Sequence, residues 1–129
     1  MPVIKQITVV LENKPGELAR LGEALAQEKI NIDALSVSDT TDAGLVRLVT
    51  RQHDEALRAL AKAGLPAFAV EVLQLELYNK PGALADISRK LAKGKINIQY
   101  LYTGPSGPQD RATVIIRVTN PLAAAKLLE

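Results

Sequence analysis

A chain of 129 residues is long enough for one ordinary domain, or for two very small ones that support each other. Hydrophobic residues make up 47% of it and aromatic residues 3%, so any core is aliphatic and few rings remain to stack on bases or sugars. A formal charge of +2 is too small a bias to demand a polyanion, and the lack of cysteine excludes disulfides, thiolate nucleophiles and sulfur-ligated metals.

From the amino end, "MPVIKQITVV" lacks the basic segment, apolar run and small-residue cleavage site of a secretion signal, and the expected location is the cytoplasm. Ile7, Val9 and Leu11 then alternate with Gln6, Thr8 and Glu12, which predicts a strand with one covered face. After "NKPG", Leu18, Leu21 and Leu25 recur at spacings of three and four behind Pro15, a residue tolerated in a first helical turn. The segments "INIDALSVSD" and "GLVRLVTR" flank the turn-prone "TTDAG" and read as a hairpin. Next, "HDEALRALAKAG" gives a second helix ending at Gly64, and "AFAVEVLQLEL" is a strand shared by the two halves of the chain.

The remainder is a second copy. Displaced by 66 residues, Leu11 to Leu35 aligns with Leu77 to Leu101, and 14 of those 25 positions are identical. Pro81 matches Pro15, and Leu84, Ile87 and Leu91 match the helical leucines. The reading is an α+β fold of two βαββαβ units, residues 1–69 and 70–129, with antiparallel sheets and helices on one face. The second unit stops after "TNPLAAAKLLE", a helix opening, and so lacks its last strand. That strand would lie beside the first, so its loss predicts an edge covered by another part of the chain or by a second chain, with domain exchange or dimer formation expected.

The repeated loop leads into the positive end of a helix, where the first backbone N–H groups have no intrahelical partner. Gly16 and Gly82 allow a ligand to approach the main chain, Pro15 and Pro81 stiffen the turn, and Asn13 and Asn79 offer both a donor and an acceptor. A carboxylate fits such a place, and a free α-amino acid supplies both a carboxylate and an ammonium group. The same residues also make a good turn, with Asn bonded to nearby backbone, so local chemistry permits binding without compelling it. Asn31 and Asn97 in the two "KINI" segments are read as residues that end a helix in a left-handed conformation.

"LENKPGELARLGEALAQEKINIDAL" and "LYNKPGALADISRKLAKGKINIQYL" resemble the opening of the ACT domain: a strand, Asn-x-Pro-Gly-x-Leu, a helix, and an Asn-Ile start to the second strand. The resemblance covers nearly the whole chain as two tandem copies and is closest to free-standing double-ACT proteins, whose units are ferredoxin-like. It implies a regulatory module that binds an amino acid where paired domains meet, through the loop of one and the second-strand start of its neighbour. By position these contacts are Asn13, Lys14, Pro15, Gly16, Glu17, Leu18, Asn31 and Ile32 in the first copy. In the second they are Asn79, Lys80, Pro81, Gly82, Ala83, Leu84, Asn97 and Ile98. Some amino-acid-sensing members carry His where Leu11 and Leu77 stand, which disfavours a serine-like ligand here and favours a larger apolar side chain. Glu17 against Ala83, and Asp33 against Gln99, suggest that the two pockets differ, one binding and the other serving as scaffold.

Other chemistries find little support. The RNA-recognition fold shares the element order but stacks bases on central-strand rings, and "GLVRLVTR" and "ATVIIRVT" contain none. Arg89, Lys90, Lys93 and Lys95 read as a solvated helix face and His53 as an exposed or capping residue; Tyr78, Tyr100 and Tyr102 read as packing, the last two on one strand face, with pocket lining as the alternative. No metal-ligand spacing, carboxylate pair or nucleophile elbow occurs, so neither catalysis nor a cofactor is expected. The chain is therefore expected to bind an amino acid, form a homodimer and act in trans on a regulated protein, with no nucleic acid or membrane partner. The alternative is a structural or oligomerising ACT pair with no ligand.

Overall fold

The alternation at Ile7, Val9 and Leu11 appears as strand β1 (Val3–Glu12), and helix α1 (Glu17–Gln27) comes after the repeated loop. The hairpin is β2 (Ala34–Asp39) and β3 (Ala43–Val49), followed by α2 (His53–Lys62) and the shared strand β4 (Ala67–Tyr78). The second copy gives α3 (Ala83–Lys93), β5 (Ile98–Ser106), β6 (Arg111–Val118) and α4 (Pro121–Leu127). The computed structural model describes residues 3–40, 42–107 and 110–129. The chain forms two bodies, residues 5–70 and residues 71–129 with the start of β1.

In the first body the strand order is β2-β3-β1-β4, with β3 antiparallel to both β1 and β2. Register sets Ile7 opposite Leu48 and Val9 opposite Val46, so the apolar residues share one face. That face meets Leu21 and Leu25 of α1 and Ala56, Ala59 and Leu60 of α2 in a closed aliphatic core. Each fully buried large side chain there contributes roughly 1.5–3 kcal/mol. Gln6 and Thr8 lie on the opposite face as the alternation predicts, yet both are buried, and the Gln6 amide donates to the Thr8 hydroxyl at 3.0 Å.

The second body repeats this plan with Leu73, Leu75, Val114 and Ile116 from the strands against Ile87, Leu91 and Ala124 from the helices. Its order is β1-β4-β6-β5, so the beginning of β1 stands where the missing fourth strand would lie. Val3 packs against this body's core. The expected open edge is thus taken by another part of the same chain, and the edge gives no reason for domain exchange. The two units are ferredoxin-like, as the element order predicts.

The left-handed helix ends differ from expectation. Lys29 (φ 57°) and Lys95 (φ 59°), not Asn31 and Asn97, adopt that conformation. Ile30 N–H reaches Leu25 O at 3.0 Å, Ile96 N–H reaches Leu91 O at 2.9 Å, and Leu65 N–H after Gly64 repeats the bond to Leu60 O. In each case the residue after the left-handed one is an aliphatic that tucks under its helix, which fixes the stop in the two KINI segments two residues before the asparagine. His53 also departs from its reading: Gln52 occupies the N-cap, and His53 is half-buried with Nδ1 inaccessible and without a hydrogen-bond partner among the described residues.

Candidate functional site

Each NKPG loop turns in the same way. Lys14 N–H donates to Glu12 O at 3.0 Å and Lys80 N–H to Tyr78 O at 2.9 Å, which closes a tight turn at the strand end. Gly16 and Gly82 then take φ 90° and 92° and serve as N-caps of α1 and α3. That conformation favours glycine, and no side chain caps either helix. Pro15 and Pro81 therefore lie just before the cap rather than in the first turn. The intrahelical ladder starts with Arg20 N–H to Gly16 O and Asp86 N–H to Gly82 O; no side chain caps the earlier amides, though in the second copy Ala83 N–H donates to Lys80 O at 3.4 Å. A Cβ added to Gly16 or Gly82 would meet nothing within 4 Å, so the corner is open. Leu18 and Leu84 beside it are exposed.

The side chains around the two corners differ. In the first, Asn13 Nδ2 donates to Asp39 Oδ1 at 2.7 Å, a bond from the loop to the far end of β2. Lys14 pairs with Glu12 at 3.0 Å, and that hydrogen bond, then the charge of Glu12, raises the Lys14 pKa above the ordinary lysine value. Arg20 pairs with Glu17 at 3.3 Å and also donates to Ala63 O. Beside this corner is a cavity of about 360 Å³ lined by Leu11, Glu17, Arg20, Asp42, Gly64 and Pro66, among others. In the second corner Tyr78 replaces Glu12, and its ring lies 5.8 Å from Lys80 Nζ and 4.9 Å from Arg111 Cζ. Arg111 donates to the Tyr78 hydroxyl at 2.8 Å, which raises the guanidinium pKa further. No described residue forms a side-chain hydrogen bond with Asn79.

The second-strand starts differ in the same sense. Asn31 Nδ2 donates to Asp33 Oδ1 at 3.4 Å, Asn31 N–H to Gln52 Oε1 at 3.3 Å, and Thr50 Oγ1 to Asn31 O at 2.7 Å. Asp33 also accepts from Arg51 N–H at 3.0 Å. Asn97 has one backbone bond, from Thr119 N–H, and no described side-chain partner. Ile32 and Ile98 pack against their own bodies' cores.

Neither body brings its own loop and its own second-strand start together. Register puts Asp39 opposite Gly44, the residue also opposite Leu11, whereas Ala34 pairs with Val49 at the other end of the strand. The 11 residues of α1 separate the two places by roughly 16 Å. Sequence reasoning misses Asp39 because it lies 26 residues from Asn13 and outside the repeated motif. Tyr100 and Tyr102 stack with centroids 6.4 Å apart on one strand face, in line with the packing reading. Among the described residues there is no cluster of three or more metal-ligating side chains, and no helix is long and apolar enough to cross a membrane.

The profile of the ACT domain pair matches residues 2–128. The crystal structure of protein BT0572 from Bacteroides thetaiotaomicron is similar over 98% of this chain and 86% of its own, with 32% identity and a TM-score of 0.90. The regulatory subunit of aspartate kinase from Thermus thermophilus, in ligand-free form, shares the fold over 99% of this chain and 95% of its own at 20% identity and a TM-score of 0.70. That of Thermus flavus does so over 97% and 92% at 21% identity and a TM-score of 0.62. No curated protein matches the chain. The chain belongs to the ACT domain family, as an ACT domain pair.

Proposed function

We propose that this ACT pair binds a free amino acid through its NKPG corners, forms a homodimer, and reports occupancy in trans to a regulated protein in the cytoplasm. The ACT pair is a regulatory module rather than a catalytic fold. The observation that carries the binding reading is the pair of helix starts at left-handed glycines that no side chain caps, where a Cβ on the glycine would meet nothing within 4 Å. An amino acid carboxylate satisfies those amides and the positive end of the helix, while an asparagine amide serves either end of the zwitterion. Exposed Leu18 and Leu84 suit an apolar ligand side chain. Signalling would run by linkage: a ligand that favours one arrangement shifts the population toward it, and a partner reads the result.

Thermal-shift measurements against the twenty amino acids test this reading. Selective stabilisation is expected, about 2.7 kcal/mol at one hundred times Kd. A second reading, a structural pair without ligand, is favoured by one observation: Asn13 and Asn31 already have partners within the chain. Silence across the panel would select it.

A further inference from the structure

The helices of the two bodies repeat one plan with an opposite balance of charge. From the start of α1 to Lys29 and of α2 to Gly64, four cations stand with five carboxylates; from the start of α3 to Lys95 and of α4 to Glu129, five cations stand with two. The surplus gathers where α3 and α4 finish. Lys90 and Lys93 occupy the last turn of α3, Lys95 follows that helix, and Lys126 occupies the last turn of α4. All four are exposed, and none forms an ion pair among the described residues. Of the two carboxylates, Asp86 is held by Arg89 at 2.6 Å, and Glu129 pairs with no described cation. A Cβ on Gly94 would stand 2.5 Å from Leu127 Cδ2, so Leu127 lies against the end of α3, at the residue between Lys93 and Lys95. Leu127 is nevertheless 41% exposed. In the first copy Ala24 matches Lys90, Gln27 matches Lys93 and Glu28 matches Gly94, so this arrangement belongs to the second body alone.

The helix dipole favours cations in a last turn, which accounts for Lys90, Lys93 and Lys126 one at a time. It does not account for an exposed leucine among them. An accessible apolar side chain beside unpaired ammonium groups is complementary to carboxylates set around an apolar residue. Neither α3 nor α4 carries a ring on which a base could stack, and their one guanidinium, that of Arg89, is already paired. We propose that the joint end of α3 and α4 docks an acidic segment of the regulated protein, with Leu127 against its apolar side chain and Lys93, Lys95 and Lys126 facing its carboxylates. This rests on the reading that the chain acts in trans on a protein, and it gives that action a surface separate from the NKPG corners.

The probe is a synthetic peptide of glutamates around a leucine, titrated into the full chain at physiological salt and followed by calorimetry and amide NMR. The wild type is expected to bind it, with shifts centred on Lys93, Gly94, Lys95 and Leu127 and with affinity falling as salt rises. The double variant Lys93→Ala/Lys126→Ala should weaken binding about fivefold. Lys95→Gly separates docking from folding: Lys95 holds φ 59°, so glycine there should raise the melting temperature while binding falls. Lys29→Gly, at the matched position with φ 57°, should raise the melting temperature and leave binding unchanged. No binding by the wild type, shifts centred elsewhere, or equal losses from Lys29→Gly and Lys95→Gly overturn the proposal. Tighter binding of single-stranded RNA or of phosphatidylserine vesicles than of the peptide overturns it as well. The titration contains no amino acid, so its failure leaves the amino-acid reading standing. Peptide binding by a chain silent to all twenty amino acids removes that reading and keeps this surface.

Discussion

Gly16 at φ 90° and Gly82 at φ 92° start their helices alike, yet Asn13 is bound to Asp39 whereas Asn79 has no described side-chain partner. The backbone of each corner is set by a few repeated residues: a proline before the cap, a glycine able to take positive φ, and an aliphatic that closes the helix end. The chemistry at the corner is set by residues that differ between the copies, namely Glu12 or Tyr78, Ala43 or Arg111, and Asp39 or Ser106. Duplication thus yields two frames of one shape with different contents.

The likeness of the two frames can be challenged first at the core side chains that both bodies contain. Leu25→Ala and Leu91→Ala delete matched, fully buried residues, and each should cost about 2–5 kcal/mol in urea unfolding. A large effect in one body and a negligible one in the other would contradict equivalent cores. Replacing the N-cap glycines isolates the backbone. Gly16→Ala and Gly82→Ala meet no steric obstacle, so each should cost about 1–2 kcal/mol through the left-handed conformation alone, equally in both bodies. The caps of the later helices, in contrast, should respond unequally. Asn120 accepts from Ala123 N–H at 3.1 Å, so Asn120→Ala should cost about 1 kcal/mol, while Gln52→Ala has no such cap bond to lose. Thermal melts of the two variants check this ordering.

The smallest effect concerns pH. Lys14 has its pKa raised in the folded state by Glu12, so its contribution is present at neutral pH and is lost as pH rises through that raised value, above the ordinary lysine range. In Glu12→Gln an NMR titration of Lys14 should move down, and an unchanged titration would rule out the pairing.

Much of the fold was legible because periodicity and repetition are local signals. The alternation around Ile7, the helical leucines and the offset of 66 yielded the element order directly. Three features were not local. The start of β1 completes the second body although it is nearly seventy residues away in sequence, and only pairing shows this. The helix stops at Lys29 and Lys95 because Ile30 and Ile96 must tuck under, a packing demand that overrides the preference of asparagine for left-handed φ. Asp39 could be connected with Asn13 only through the hairpin register. The candidate loops themselves were visible as motifs, but which of them retains unspent donors depended on residues with no motif at all.

The most direct test is calorimetry of the wild type against each of the twenty amino acids. Saturable heat is expected for at least one of them, lost when Asn13 and Asn79 are both replaced by Ala. Absence of heat with all twenty would contradict the binding reading and leave a structural pair.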